Sequence, residues 1–257
     1  MSLVGAGAAG SAGSRGLAGA MLMAAGRGER MRPLSDHCPK PLLEVRGKPL
    51  LQYHLEALAR GDVDTVVVNT AWLGEQIEQR FGTAAAADAG AHEPRSSLPR
   101  IVFSHEGRDF GGALETAGGI ARALPLLDEV FWLAAGDVHV PGFEFRPELR
   151  ERFRAGGKLA HLFLVPNPAH NPKGDFGLRS DGLALNQGGT RYTYSTIGLY
   201  RKALFQSLPA GNPQGIKAPL APLLRAAMDN GAVTAEIHTG PWTDVGTPER
   251  LAQLNAP

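Results

Sequence analysis

Short apolar runs alternate along the chain with segments in which apolar residues recur at helical spacing. In the clearest helical segment, Leu51, Leu55 and Leu58 fall on one face. The pattern predicts strands over Leu17–Ala25, Asp64–Asn69, Ile101–Ser104, Val130–Ala134 and Lys158–Val165, and helices over Pro49–Arg60, Trp72–Phe81, Leu114–Leu124, Ala218–Asn230 and Thr247–Leu254. Such alternation favours an α/β fold of Rossmann-like type, with a mixed, mostly parallel sheet and helices on both faces.

Three segments depart from this alternation. Residues 1–16 are rich in Gly, Ala and Ser, which predicts a flexible leader before a single domain over residues 17–257. Thr83–Ser97 has no clear period and is predicted to be a surface insertion. The short, polar-rich runs of Asp175–Tyr200 predict antiparallel strands that form a small substrate-covering β region.

Composition excludes several classes of protein. The 257 residues carry 26 Lys and Arg against 25 Asp and Glu, a net charge of +1, which argues against nucleic acid as a partner. One cysteine excludes a disulfide framework and suits a reducing cytoplasm. No apolar run is long enough to span a membrane, so no membrane partner is expected. Nothing in the sequence requires an oligomer.

The leader contains a glycine pattern that resembles a dinucleotide-binding fingerprint. Gly5, Gly7 and Gly10 fit G-x-G-x-x-G, but only four residues precede them, whereas the fingerprint works between a strand and a helix. A flexible tail is therefore the favoured interpretation. An NAD-dependent oxidoreductase stays as an alternative that deletion of residues 1–16 would test.

A second glycine-rich segment directly follows the first predicted strand. Gly26 and Gly28 allow backbone N–H groups to approach a phosphate, and Arg30 and Arg32 add donors for phosphate oxygens. A Walker A loop would continue with G-K-[ST], which is absent here. The segment is therefore interpreted as a phosphate-binding loop of another kind, the alternative being an ordinary turn with surface arginines.

A lysine and two distant aspartates complete the candidate chemistry. Lys40 is fixed between two prolines and suits a positive charge directed at phosphate. Asp137 ends an apolar strand, and Asp244 precedes Gly246 and a Thr-Pro helix start. Mg²⁺ is usually held by one or two carboxylates together with substrate phosphates. We therefore expect a metal–triphosphate site, although each aspartate alone would also fit a turn.

Taken together, these segments resemble the sugar-1-phosphate nucleotidyltransferases. The shared pattern is AAG-x-G-x-R-M-x-P-L, P-K-P-L, L-E-T-x-G, G-D and W-x-D-V-G-T-P, in that order from about residue 20 to residue 254. Within that family the segments are most similar to uridylyltransferases that use N-acetylmuramate 1-phosphate in peptidoglycan recycling. Guanylyltransferases for mannose 1-phosphate share the first and last motifs, and a non-catalytic sugar-nucleotide-binding regulatory protein is a further alternative.

The resemblance implies a role for individual residues. Arg30 and Lys40 would contact the phosphates of a nucleoside triphosphate and a sugar 1-phosphate, and Asp137 and Asp244 would bind Mg²⁺. Asp175 would contact the sugar, and Lys217 resembles a lysine that faces the phosphate of this substrate, although it lies farther from the following helix than the family pattern leads us to expect. The positions implied to surround the nucleotide are Ala24, Ala25, Gly26, Gly28, Asn69, Leu114, Glu115, Thr116 and Gly118.

One position departs from the family pattern. Ala135 stands two residues before Asp137, where the resemblance leads us to expect Asn. The methyl group removes one polar contact to nucleotide or sugar, so the base and the sugar are left open by the sequence.

Overall fold

The computed structural model describes residues 16–82 and 98–256. The leader glycines Gly5, Gly7 and Gly10 and the predicted insertion Thr83–Ser97 lie outside these residues. The strands are β1 (Ala18–Ala24), β2 (Glu44–Val45), β3 (Lys48–Pro49), β4 (Thr65–Thr70), β5 (Arg100–His105), β6 (Leu127–Ala135), β7 (Val138–His139), β8 (Ala160–Val165), β9 (Phe176–Leu178), β10 (Ala184–Leu185), β11 (Arg191–Arg201), β12 (Val233–Ile237) and β13 (Thr243–Asp244). The α-helices are α1 (Leu50–Arg60), α2 (Gly74–Phe81), α3 (Glu106–Phe110), α4 (Glu115–Ala123), α5 (Pro147–Ala155), α6 (Leu220–Asp229) and α7 (Pro248–Asn255).

Most strands of the described chain join one mixed sheet. β5, β4, β1 and β6 lie side by side and run parallel, and β11 pairs antiparallel with β6. β8 pairs antiparallel with the other edge of β11, and β12 pairs parallel with β8. β9 and β10 extend the sheet from the beginning of β11. The carboxyl ends of the parallel strands therefore meet at one edge, where α/β sheets bind ligands.

Two apolar cores cover opposite faces of this sheet. Along β1, Met21 belongs to one core, whereas Ala20 and Leu22 belong to the other, as alternation along a strand requires. Helices α4 and α6 supply the first core, and α1, α2 and α5 supply the second. Helices thus pack on both faces, which confirms the predicted fold class.

The predicted strands and helices are all present, with small shifts at their ends. Trp72 and Leu73 are not part of α2, because Leu73 adopts a left-handed conformation with φ of 49° and the helix begins after it. The Asp175–Tyr200 region is antiparallel as expected, but β11 is an 11-residue strand that continues into the main sheet. The short helices α3 and α5 were not predicted. None of the helices in the described ranges has the length and apolar character needed to cross a membrane.

Candidate active site

A small two-stranded ladder brings the two predicted metal-binding aspartates together. Asp137 lies in the turn between β6 and β7, and the Gly136 N–H donates to the carbonyl of Met23 on β1 (2.9 Å). β7 pairs antiparallel with β13, which places Asp244 directly opposite Val138. The two aspartates are therefore neighbours at the carboxyl edge of the sheet.

Lys40 lies between the two carboxylates. Its Nζ donates to Asp137 Oδ2 at 2.7 Å and lies 3.8 Å from Asp244 Oδ1. The lysine is 7% exposed, so its charge is held in place by packing as well as by the two acids. This arrangement joins three of the four predicted catalytic residues in one cluster.

Further contacts fix Asp244 and the segment that carries it. Arg250 Nη1 donates to Asp244 Oδ2 at 2.9 Å, and His170 Nε2 lies 3.6 Å from the same oxygen. Trp242 Nε1 donates to the carbonyl of Ser195 on β11 at 3.0 Å. The carboxylate is thus surrounded by three basic side chains and anchored to the central sheet.

The donor chemistry of this cluster fits Mg²⁺. Two carboxylates that share one ammonium partner supply the oxygen ligands this ion prefers, and Mg²⁺ sites commonly use no more than two carboxylates together with substrate phosphates. Within residues 16–82 and 98–256, no group of three or more His, Cys, Asp or Glu side chains is arranged to hold a metal ion. A metal at Asp137 and Asp244 would therefore take its remaining ligands from water and from substrate phosphate oxygens.

The glycine-rich loop packs against Lys40. Gly28 has a left-handed φ of 65°, and a Cβ atom there would lie 3.3 Å from Lys40 Cβ. Ser35 Oγ donates to the Gly28 carbonyl at 2.8 Å and closes the loop. Gly26 is exposed with open space beside it, as a close phosphate contact requires.

The arginines of the loop point to the surface. Arg30 lies on a 3₁₀ turn (Glu29–Met31), is exposed and forms no ion pair with any described residue. Arg32 instead pairs with Asp36 at 3.0 Å. Among the described residues Arg30 therefore has no ion-pair partner, which leaves its guanidinium available to a phosphate.

A cavity of about 580 Å³ includes Ala135, two residues before Asp137, in its lining, whereas Lys40, Asp137 and Asp244 are not among its lining residues. Glu115 and Thr116 line it, as does Asp175, so residues expected near the base and near the sugar face the same space. Its remaining wall is mainly apolar: Met23, Leu133, Ala135, Phe176, Tyr194, Thr196, Pro219, Leu220, Ala221, Leu224 and Arg225. A largely apolar cleft with a few polar groups is typical of a small-molecule site.

Asp175 is held in the cavity wall by its own hydrogen bonds. Its Oδ2 accepts from the backbone N–H of Tyr194 at 2.8 Å, and its Oδ1 accepts from Asn171 at 3.2 Å. Thr196, farther along β11, has φ of 66° where the pairing of β11 with β8 is irregular. The irregularity turns this part of the strand into the wall of the cavity.

The cavity lining does not include three residues that were predicted to bind substrate, Asn69, Gly118 and Lys217. Asn69 is fully buried and bonded to Ala24 and Glu106, so its amide does not face the cavity. Gly118 contacts the segment before α6, since a Cβ there would lie 2.4 Å from the Ile216 carbonyl. Lys217 is exposed in that segment and is not among the cavity-lining residues.

Several site residues were not found from the sequence. Thr196 and Arg225 line the cavity, and His170 and Arg250 contact Asp244. Only Arg250 carried a usable signal, because it follows the W-x-D-V-G-T-P motif within the first turn of a predicted helix. The others depend on how distant elements are packed, which one sequence does not display.

His54, on α1, contacts strand β7 of the β7–β13 ladder. Its Nε2 lies 2.9 Å from the Val138 carbonyl, and burial lowers its pKa to about 4. Because the unfolded chain takes up this proton near pH 6.5, stability should be complete above that pH and fall as pH decreases toward 4. We expect a loss on the order of 3 kcal/mol from this residue, measured by urea unfolding at pH 7 and pH 4.

The matched variant is His54→Gln, which keeps a side-chain N–H donor without the titration. It should lose clearly less stability over the same pH range than the wild-type protein. Equal losses in the two proteins would contradict this assignment.

Comparisons with known proteins agree with the geometry. Residues 19–180 match the nucleotidyl transferase family. The chain is 43% identical to an N-acetylmuramate alpha-1-phosphate uridylyltransferase of Neisseria meningitidis serogroup B, over 92% of this chain and 96% of that protein. It is 32% identical to a protein of the same description from Caulobacter vibrioides, over 90% of this chain and 92% of that protein.

Two solved structures share the fold. A proposed glucose-1-phosphate thymidylyltransferase from Bacillus anthracis superposes with a TM-score of 0.72 at 17% identity, covering 92% of this chain and 93% of that one. HddC from Yersinia pseudotuberculosis gives 0.66 at 18% identity, covering 93% and 98%. Sequence family, fold and site geometry thus agree, and the chain belongs to the nucleotidyl transferase family.

Proposed function

We propose that this protein transfers a uridylyl group from UTP to N-acetylmuramate 1-phosphate, forming UDP-N-acetylmuramate and pyrophosphate. The observation that carries the chemistry is the contact of Lys40 with Asp137 and Asp244 at the carboxyl edge of the sheet, two residues after Ala135 of the cavity wall. The substrate pair is supported by the 43% identity to the Neisseria uridylyltransferase over nearly all of both chains.

The reaction needs charge compensation more than a base. An oxygen of the sugar 1-phosphate attacks the α-phosphorus of UTP, and the bond from that phosphorus to the bridging oxygen breaks, so that pyrophosphate leaves with the electron pair. The nucleophile is already an anion. Two anions repel each other, so positive groups that hold both phosphates should supply most of the catalysis.

Lys40 and Arg30 are the protein's own positive groups for this task. Lys40 lies between the carboxylates and against Gly28, so it can reach phosphates that bind on the loop. Arg30 is exposed at the same loop. Asp137 and Asp244 would hold Mg²⁺, which supplies further positive charge to the phosphates when bound.

The cavity offers a basis for choosing the sugar. N-acetylmuramate carries a lactyl carboxylate that glucose and mannose lack. Arg225 lines the cavity, is exposed and forms no ion pair with any described side chain. We infer that this guanidinium receives the sugar carboxylate, while Asp175 on the opposite element accepts sugar hydroxyls. Ala135 contributes a methyl group to the same wall.

A pyrophosphate-release panel tests the proposal. It crosses UTP, GTP, dTTP and CTP with the 1-phosphates of N-acetylmuramate, N-acetylglucosamine, mannose and glucose. The pair of UTP and N-acetylmuramate 1-phosphate should give the highest kcat/KM. In Arg225→Gln, kcat/KM should fall about tenfold for the muramate substrate and little for N-acetylglucosamine 1-phosphate.

Preference for GTP with mannose 1-phosphate would instead support the guanylyltransferase alternative. No pyrophosphate release with any pair would support a non-catalytic binding protein. We further propose a role in peptidoglycan recycling in the cytoplasm, because UTP is an intracellular nucleotide and N-acetylmuramate is a peptidoglycan sugar.

A further inference from the structure

A buried hydrogen-bond chain connects the phosphate loop with the loop expected near the base. Asn69 Oδ1 accepts from the backbone N–H of Ala24 at 2.7 Å, at the end of β1. Asn69 Nδ2 donates to Glu106 Oε1 at 2.7 Å. Glu106 Oε2 accepts from the backbone N–H of Leu114 at 2.8 Å, directly before Glu115.

The chain continues to the wall of the cavity. The Leu114 carbonyl accepts from the backbone N–H of Ala218 at 3.1 Å, and Pro219 lines the cavity. Asn69 and Glu106 are both 0% exposed. Burial raises the pKa of Glu106, and its hydrogen bonds from Leu114 and Asn69 oppose that rise.

The packing around this pair leaves no spare room. A Cβ atom at Gly119 would lie 2.4 Å from Glu106 Oε1 and 3.1 Å from Asn69 Nδ2. Helix α4 therefore has a glycine where it crosses the carboxylate. The close approach fixes the position of Glu106 from a third side.

We infer that Asn69 and Glu106 are positioning residues, which set the distance between the phosphate loop after β1 and the base-side loop at Leu114–Thr116. This inference rests on the proposed function and concerns the nucleotide half of the site. Neither side chain touches substrate. Their effect should therefore appear in nucleotide affinity, whereas the sugar half should respond little.

The hydrogen-bond pattern permits a test in which the carboxylate of Glu106 and the amide of Asn69 exchange positions. Glu106 accepts from two donors, so Glu106→Gln turns an NH₂ group toward a donor and breaks one end of the chain. Asn69→Asp places a second buried carboxylate against Glu106. When the two changes are combined, the new carboxylate at position 69 accepts from the Ala24 N–H and from the new amide at position 106. The oxygen of that amide accepts from the Leu114 N–H.

The double variant thus restores every hydrogen bond with the same net charge. We expect each single variant to bind UTP with Mg²⁺ about tenfold more weakly by calorimetry, and the double variant to return within about threefold of wild type. The KM for UTP should follow the same order, while the KM for the sugar 1-phosphate changes little. The binding measurement uses UTP and Mg²⁺ without a sugar 1-phosphate. It therefore tests this inference independently of whether N-acetylmuramate 1-phosphate is the substrate.

Gly119→Ala provides a second route if Glu106→Gln does not fold. The added methyl group pushes on Glu106 and should weaken UTP binding. The control is Gly157→Ala, because a Cβ atom at Gly157 meets no atom within 4 Å. Single variants whose effects simply add in the double variant, or UTP binding unchanged in Glu106→Gln or Gly119→Ala, would overturn the inference.

Discussion

Replacing Asp137 with Asn is expected to lower pyrophosphate release by about a hundredfold, equivalent to about 3 kcal/mol of transition-state stabilisation. Asn keeps the shape of the side chain but loses the charge that pairs with Lys40 at 2.7 Å and would bind Mg²⁺. Asp244→Asn should behave alike, since its carboxylate faces the same ammonium. Release is measured at saturating UTP and sugar 1-phosphate over a Mg²⁺ series.

The control is Asp181→Asn, which removes a surface carboxylate paired with Arg179. That variant should retain wild-type release. If Asp137→Asn also releases pyrophosphate at nearly the wild-type rate, the assignment of the carboxylate cluster as the catalytic centre is wrong.

Lys40→Met is expected to have the second large effect, because it should lower catalysis and at the same time strengthen stabilisation of the protein by Mg²⁺ alone. Without the ammonium, the two phosphates lose a positive group, and kcat/KM should fall by a factor on the order of a hundred. The same ammonium neutralises Asp137 and Asp244 in the unliganded protein, where it competes with a divalent cation. Mg²⁺ alone should therefore stabilise Lys40→Met against heat more than it stabilises the wild-type protein.

The two readouts separate catalysis from simple damage to the site. The variant Lys202→Met, at a half-buried lysine outside the cluster, serves as the control and should change neither catalysis nor the response to Mg²⁺. Loss of Mg²⁺-dependent stabilisation in Lys40→Met would show that the lysine does not compete with the metal at these acids.

The sequence predicted which residues form the central cluster better than it predicted the residues that support them. Lys40, Asp137 and Asp244 belong to motifs in which residue type and spacing together imply phosphate chemistry, and the structure brings them into contact. Asn69 was expected to border the nucleotide, yet its side chain turns inward to Ala24 and Glu106. The expected and the observed role both place Asn69 near the end of β4. They differ only in the direction of its side chain, which the sequence does not show.

The pattern of apolar and polar residues also failed to predict elements that are short or highly charged. Helix α5 exposes most of its charged residues and buries only Leu149 and Phe153, so its apolar signal is weak. The β7–β13 ladder has two residues in each strand, so neither strand is long enough to show an alternation of apolar and polar residues in the sequence. Arg225 was not identified from the sequence, because its place on the cavity wall depends on the packing of α6.

The position of Asp244 along the chain affects when the site can form during synthesis. The glycine-rich loop, Lys40 and Asp137 are all made early, whereas β13, which pairs with β7, is translated about a hundred residues later. A nascent chain whose sheet has already folded on the ribosome therefore lacks one of the two acids. The cluster of Lys40 and the two aspartates can therefore form only after residue 244 and its arginine partner have emerged.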